Sequence, residues 1–140
     1  MDFATLPPEI NSELMYSGPG AGSMQEAATA WGQFAARLYA AADDYRAALA
    51  TVVAGHGGST AMTEAAAPYI DWVEAVAARS ELAGIQLAAA ISAHQAALTA
   101  MVSPPLIAAN RALRRSLARE NCLAQTSLAI ADLDAEYEQM

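Results

Sequence analysis

The sequence holds few side chains of the types that bind metal ions or act as nucleophiles. His56 and His94 are its only histidines, and Cys122 is its only cysteine. The histidines lie far apart, and no segment carries the two-histidine helix motif or a cysteine cluster of a zinc site. We expect His56 to be a turn residue and His94 a packed or solvated helix residue, with no metal, cofactor or intrachain disulfide.

The sequence also lacks the motifs that usually surround a catalytic nucleophile or form a phosphate-binding loop. None of the serines lies in a G-x-S-x-G segment, and no third member of a catalytic triad is apparent. Gly18, Gly20 and Gly22 do not have the G-x-G-x-x-G spacing, and no strand precedes them, so they predict a turn. We therefore expect a protein that is not an enzyme.

Charged residues support two hypotheses. Four of the seven basic residues lie in one short segment, as Arg111, Arg114, Arg115 and Arg119. A nucleic-acid-binding regulator could use this segment, residues 104–120, as its basic patch. A solvated, ion-paired face is favoured, because four acids follow close by: Asp132, Asp134, Glu136 and Glu138. The net charge of −8 also disfavours binding to nucleic acid or anionic membranes.

The elements that must position these residues all read as helices, because alanine is abundant and no alternating strand pattern appears. Pro7 and Pro8 suit the first turn of a short helix that runs to about Tyr16, and Glu9 there faces the positive end of the helix dipole. Residues 17–20, Ser-Gly-Pro-Gly, should end this helix.

Two long helices follow. The first should run from Ser23, as N-cap, to Val53, with a heptad seam that includes Trp31, Leu38, Tyr45 and Leu49, which we expect to be buried. The second should run from Ser59 or Thr60 to about Val102, with a kink but no break at Pro68. It carries two apolar stripes, so it needs a second packing partner besides the first long helix.

The carboxy-terminal part predicts two shorter helices. Ser103 should cap the first, with Pro104 and Pro105 in its first turn and its end at about Glu120. The second should begin near Ala124 and still be helical at Met140. The fold class is therefore all-α: an elongated bundle of five helices with two long antiparallel helices, no signal peptide and no membrane-spanning segment.

The turn between the last two helices has an apolar tip. Cys122 and Leu123 fall where exposed residues are usually polar. A partner could bind them, or they could be buried against the bundle; the residues alone favour neither.

Taken together, these residues resemble the PPE family of mycobacterial proteins, which is named for a Pro-Pro-Glu motif near the amino terminus. Pro7-Pro8-Glu9 occupies that place. Other similar stretches are Ile10-Asn11-Ser12, Met15-Tyr16, Gly18-Pro19-Gly20, Ala30-Trp31, Pro68-Tyr69, Trp72 and Ala108-Ala109-Asn110-Arg111-Ala112. The resemblance implies that residues 1–140 form one PPE domain.

The resemblance implies a heterodimer with a small two-helix PE protein, whose helices complete the bundle and cover the second apolar stripe. Residues expected in or beside this contact are Trp31, Leu38, Val73, Val76, Leu87 and Ile91. It also implies export of the folded pair by a type VII (ESX) secretion system. The chain would then be cytoplasmic before export and secreted or cell-surface associated afterwards.

An EspG chaperone is implied to bind the apolar tip in the cytosol. In the family, the tip is an Asn followed by two hydrophobic residues and usually Gly-Gln; residues 121–125 here read Asn-Cys-Leu-Ala-Gln. The expected chaperone contacts are Leu117, Asn121, Cys122, Leu123 and Gln125.

Two departures separate the chain from the usual family pattern. Residues 54–58, Ala-Gly-His-Gly-Gly, stand where the family has a Trp-x-Gly turn that is associated with recognition for export. Family domains also continue past the position of Tyr137, so the chain resembles a short or truncated member. The resemblance therefore supports pairing with a PE protein more strongly than export.

Overall fold

The computed structural model describes residues 5–55 and 60–140 of the protein. Their helices are α1 (Pro8–Ser17), α2 (Gly22–Gly55), α3 (Thr60–Ala100), α4 (Pro104–Glu120) and α5 (Ser127–Glu138). No strand occurs in these residues. The all-α fold class is confirmed.

The chain divides into two compact units. The first comprises the residues up to Gly20 together with His94–Met140, and so contains α1, the last turns of α3, α4 and α5. The second, Ala21–Ala93, contains α2 and the rest of α3. The candidate surfaces described below belong to one unit or the other.

The start of α1 follows from its two prolines. Pro7 is the N-cap in an extended conformation, with φ −57° and ψ 149°, and Pro8 is the first helical residue. The helix therefore begins one residue later than predicted. Glu9 lies in the first turn as expected, and the amides of Ile10 and Asn11 donate to the Pro7 carbonyl oxygen at 3.0 and 3.3 Å.

The long helices begin and continue close to where the sequence predicts. α2 starts at Gly22, so Ser23 lies inside the helix and is not its cap. α3 continues through Pro68, which confirms that this proline does not break the helix. Residues 56–59 lie outside the described residues, and with them the predictions of a His56 turn and a Ser59 cap.

Small residues occupy the contact between α2 and α3 in the second unit. Its buried apolar side chains are Ala35, Ala42, Ala66, Ile70, Val73 and Ala77. Leu38 packs against the cluster of Ala42, Ile70 and Val73. The approach is close: a Cβ atom at Gly84 would lie 3.3 Å from the Ala28 carbonyl oxygen. Apart from Ile70 and Val73, the large apolar side chains of the two helices therefore stand beside this contact.

Trp31 and Tyr45 are not buried within the chain itself, so their expected burial stays a prediction that a partner would have to fulfil. Trp31 is 42% exposed and Tyr45 is 44% exposed, while Leu38 and Leu49 are half-buried. Two helices packed against each other cover one stripe of each, and here that stripe consists of four alanines with Ile70 and Val73. The aromatic residues lie along its flank.

The first unit is built around α4. Ile107 is its buried apolar residue at 1% exposure, and Ser12 of α1 is fully buried. The Ser12 hydroxyl donates to the Val102 carbonyl oxygen at 2.6 Å. Asn110, 7% exposed, donates through Nδ2 to the Leu133 carbonyl oxygen of α5 at 3.1 Å. This unit therefore relies on polar side chains for much of its packing.

The last two helices differ in detail from the prediction. Ser103 is the N-cap of α4 as expected, although its side chain makes no capping hydrogen bond. α5 begins at Ser127, three residues after the expected start, because Ala124 has a left-handed backbone that interrupts the helix. α5 ends at Glu138, so Met140 lies beyond the helix rather than within it.

One stretch passes a composition test for a membrane span. Within residues 60–120, an eighteen-residue window has a mean hydropathy of 1.3, and none of it is buried inside the chain. An exposed apolar helix is also what a surface for another protein looks like before that protein binds. The apolar window is therefore only weak evidence for a membrane span, and the absence of a spanning segment stays a prediction.

Candidate partner-binding surfaces

Glu9 of the Pro-Pro-Glu segment binds two residues far along the chain. The Tyr137 hydroxyl of α5 donates to Glu9 Oε2 at 2.6 Å. Arg111 Nε of α4 lies 3.6 Å from Glu9 Oε1, and the Arg111 guanidinium carbon lies 4.4 Å from the centre of the Tyr137 ring. Glu9, Arg111 and Tyr137, which we call the motif cluster, thus join α1, α4 and α5.

The motif cluster shifts the ionisation of two of its members. The pKa of the Glu9 carboxyl lies below its ordinary value, first because the Tyr137 hydroxyl donates to it, with smaller contributions from a backbone amide and Arg111 and an opposing one from burial. The pKa of the Tyr137 hydroxyl is raised, chiefly because its proton is held by Glu9. Both shifts favour an ionised Glu9 bonded to a neutral Tyr137.

Two of the four α4 arginines are neutralised within the unit. Arg114 binds Asp134 of α5 through two hydrogen bonds, at 2.6 and 3.2 Å, and this contact lowers the pKa of the Asp134 carboxyl. Arg111 pairs with Glu9. The prediction that the nearby acids pair with these arginines is confirmed for Arg114, whereas Arg111 pairs with an acid of α1 instead. Arg115 and Arg119 are exposed and have no ion pair with any described residue.

Side-chain hydrogen bonds shape the tip, residues 121–126. Asn121 Oδ1 accepts from the Thr126 amide at 3.0 Å, and Asn121 Nδ2 donates to Ser127 Oγ at 3.2 Å. The Thr126 hydroxyl donates to the Leu117 carbonyl oxygen at 3.1 Å. Asn121 therefore holds the loop together rather than presenting its amide to a partner.

The tip exposes apolar side chains. Leu123 is 77% exposed, Leu128 in the first turn of α5 is 78% exposed, and Cys122 is exposed as a free thiol. Of the two possibilities for Cys122 and Leu123, burial against the bundle is wrong. Gln125 is exposed too, whereas Leu117 and Asn121 are half-buried.

Ala124 lies in the middle of the tip with φ +59°, in the left-handed region. A Cβ atom makes this conformation unfavourable for every residue except glycine, and Asn and Asp tolerate it best among the others. Alanine has no polar side chain to offset that cost. The tip thus carries local backbone strain at this residue.

The second unit has a flank rich in exposed aromatic residues. They are Trp31, Phe34, Tyr45, Tyr69 and Trp72, which we call the aromatic face, and each is between 42% and 61% exposed. Ring centres lie 6.2 Å apart for Trp31 and Phe34, 5.2 Å for Tyr45 and Tyr69, and 6.1 Å for Tyr69 and Trp72. The rings therefore form two groups, one of Trp31 and Phe34 on α2 and one of Tyr45, Tyr69 and Trp72 across α2 and α3.

The other flank of the same two helices is polar. Arg46 of α2 pairs with Glu74 of α3 and with Asp43, the latter at 3.0 Å. Tyr39 donates through its hydroxyl to Glu81 at 3.5 Å. These residues satisfy one another across the helices, so this flank does not need a partner.

The residues predicted for the PE contact do not all lie on the surface. Trp31 is exposed, and Leu38, Val76, Leu87 and Ile91 are half-buried. Val73 is 5% exposed and belongs to the core between α2 and α3. Trp31 is therefore the most accessible of these residues, the half-buried ones are partly accessible, and Val73 is covered by its own chain.

Comparison with known proteins gives the family. The model of the PPE family matches residues 2–140. The chain belongs to the PPE family. It is 48% identical to PPE29 of Mycobacterium tuberculosis, 43% identical to PPE45 of Mycobacterium bovis and 45% identical to PPE42 of Mycobacterium tuberculosis, in each case over the whole chain.

These relatives are longer proteins. The chain spans 34% of the length of PPE29, 35% of PPE45 and 25% of PPE42. All three are named as uncharacterized PPE family proteins, so their names state no activity or partner. What this PPE chain binds must therefore be argued from its surfaces.

Sequence reasoning missed several residues of these surfaces. Tyr137 has no expected role in the sequence, although a tyrosine in a helix that packs on others needs a hydrogen-bond partner for its hydroxyl. Phe34 and Trp72 lie off the heptad seam and were left out of the PPE chain's expected interface. Leu128 follows Leu123 by five residues, and no pattern linked the two.

The motif cluster predicts a pH-dependent contribution to stability. Glu9→Gln should lower the free energy of unfolding by about 1 kcal/mol at neutral pH, since a charge-assisted hydrogen bond is lost from a carboxylate that solvent partly screens. Because the folded pKa of Glu9 lies below its ordinary value of 4.5, the contribution is present above that pH and is lost as pH falls through the folded pKa. Urea unfolding between pH 3 and 8 would measure it.

Glu13→Gln is the matched control, because Glu13 is exposed on the same helix and has no ion pair with a described residue. It should change stability by less than about 0.5 kcal/mol. Tyr137→Phe combined with Glu9→Gln should cost less than the sum of the single changes. Additive effects would contradict the contact.

Strain at Ala124 predicts that Ala124→Gly stabilises the PPE chain. The gain should be about 0.5–1 kcal/mol, because relief of the left-handed conformation exceeds the extra chain entropy that glycine loses on folding. Ala118→Gly, within α4, should instead lower stability by about 1 kcal/mol. Thermal unfolding of both variants gives the comparison, and a lower melting temperature for Ala124→Gly would argue against strain at the tip.

Proposed function

We propose that the protein is a non-enzymatic interaction protein that forms a heterodimer with a PE protein through the aromatic face. The observation that carries this proposal is the exposure of five aromatic side chains along one flank of α2 and α3. Large contiguous apolar patches on soluble proteins usually mark sites for other proteins or membranes. Aromatic side chains are also the residues that most often dominate binding energy at such sites.

The distribution of charged side chains supports a partner-binding face on one flank of α2 and α3 rather than on both. Arg46, Glu74 and Asp43 form ion pairs on the polar flank, and Tyr39 bonds to Glu81 there. No ion pair joins residues of the aromatic face. A two-helix partner placed on that face would bury its rings and make a four-helix arrangement with α2 and α3.

The tip supports a second contact, with an EspG-type chaperone. Leu123 and Cys122 project from a loop whose shape is already fixed by Asn121 and Thr126. A preformed apolar tip loses little conformational freedom on binding, so it favours recognition by a complementary pocket. Of the five residues expected to bind the chaperone, Cys122, Leu123 and Gln125 are the exposed ones.

We also propose that the folded pair is exported by a type VII secretion system, and membership of the PPE family supports this. The protein would be cytoplasmic while the chaperone holds the tip, and secreted or cell-surface associated after export. Residues 56–58, which replace most of the family's tryptophan turn, are outside the described residues. Nucleic-acid binding is not favoured, because Glu9 and Asp134 already neutralise two of the four α4 arginines.

Trp72→Asp should abolish pairing with a PE protein. Trp72 is 61% exposed on the aromatic face, so an aspartate there would leave a charge inside the partner contact while costing the unbound chain little. Co-expression with candidate PE proteins, followed by affinity purification, measures pairing.

Ile85→Asp is the control for this change. Ile85 is 59% exposed on α3 and lies outside the aromatic face. It should leave co-purification with the PE protein intact. Loss of pairing in both variants would indicate a general effect on folding, and retention in both would contradict the proposed face.

Leu123→Asp should abolish binding to an EspG-type chaperone and leave PE pairing unchanged. The substitution puts a carboxylate where the proposed contact needs an apolar side chain, and affinity should fall by about 100-fold or more. Leu106→Asp is matched to it, because Leu106 is 61% exposed on the same unit but lies in the first turn of α4. Pull-down with purified chaperone should retain Leu106→Asp; capture of both variants would contradict the tip contact.

A further inference from the structure

Two arginines on the outer side of α4 are not used by the fold. Arg115 and Arg119 are one helical turn apart, exposed, and without an ion pair in residues 5–55 and 60–140. Glu120 is the acid next to Arg119 in sequence, but the Ser116 hydroxyl donates to its carboxylate at 3.5 Å. We call Arg115 and Arg119 the arginine pair.

The arginine pair is unfavourable for the unbound chain. Like charges four residues apart on a helix repel each other. The dipole of α4 favours a cation in the last turn, which accounts for Arg119 but not for Arg115 in the turn before it. The chain has fifteen acids against seven basic residues, yet none of the described acids pairs with either arginine.

The arginine pair lies directly before the apolar tip. Arg119 is in the last turn of α4, and Leu123 follows four residues later. Leu123 and Leu128 have the highest exposed fractions, 77% and 78%, among the exposed large hydrophobic residues. The end of α4 therefore combines two unpaired cations with two exposed leucines.

We propose that the arginine pair is the charged rim of the tip, and that it selects a protein whose apolar pocket for Leu123 and Leu128 is bordered by carboxylates. This inference rests on the proposed chaperone contact and adds the chemistry of the partner's surface. Rim charges of this kind speed association and exclude partners of the wrong sign, while the buried apolar contact supplies most of the affinity.

A protein fits this surface better than a nucleic acid does. Two cations would neutralise two phosphates, and each phosphate contact contributes a slope of only about −0.9 in log affinity against log salt. The leucines have no counterpart on a phosphate backbone. The net charge of −8 on the chain also opposes approach of a polyanion.

Charge reversal tests the arginine pair. Arg115→Glu with Arg119→Glu should weaken binding of the full chain to purified EspG-type chaperones by at least about tenfold, mainly through slower association. Arg115→Lys with Arg119→Lys should keep most of the affinity. The control is Arg37→Glu with Arg79→Glu, which makes the same change in net charge at two exposed arginines of the second unit. Association should also slow as salt is raised for the natural chain, but not for the reversed pair.

The outcomes separate this inference from the function on which it rests. If the reversed pair binds like the natural chain while Leu123→Asp does not bind, the arginine pair is not part of the rim although the tip contact stands. If neither change affects capture, both ideas fail. If the reversed pair instead removes low-salt binding to duplex DNA and leaves chaperone binding intact, the partner class is wrong.

Discussion

The contact between α2 and α3 sets the constraint on which the rest of the structure depends. Four alanines occupy it together with Ile70 and Val73, and at Gly84 the backbones approach so closely that a side chain would press on the Ala28 carbonyl. Two helices this close have room for one narrow stripe of small residues. The aromatic side chains lie on the flank, where the aromatic face stays exposed within the chain.

The sequence predicts the helices well and the burial of their large residues poorly. Turn residues and prolines mark helix ends to within a few positions, because backbone restrictions act locally. The heptad seam also locates the contact of α2 with α3, but it ranks Trp31 and Tyr45 as core residues by size. The distance between the two helices decides which residues of a stripe are buried at its centre. The periodicity of the sequence carries no information on that distance.

Glu9 shows a second limit of local reasoning. A carboxylate in the first turn of a helix is fully explained by the dipole, so the sequence gives no reason to search for Tyr137, which lies 128 residues away. Chain folding brings the two together, and Arg111 then completes the motif cluster. The diagnostic glutamate of the family is thus a tertiary contact as well as a helix start.

Each unit buries few apolar side chains, and the two units differ in what else holds them together. The first unit fixes its geometry with directional bonds, in Ser12, Asn110, Arg114 and Asn121, and these bonds form whether or not a partner is present. The second unit has directional bonds on its polar flank, between Arg46 and Glu74 and between Tyr39 and Glu81, and leaves its aromatic face exposed within the chain. Directional bonds already shape the tip within the first unit, so the tip has its form in the chain without a partner.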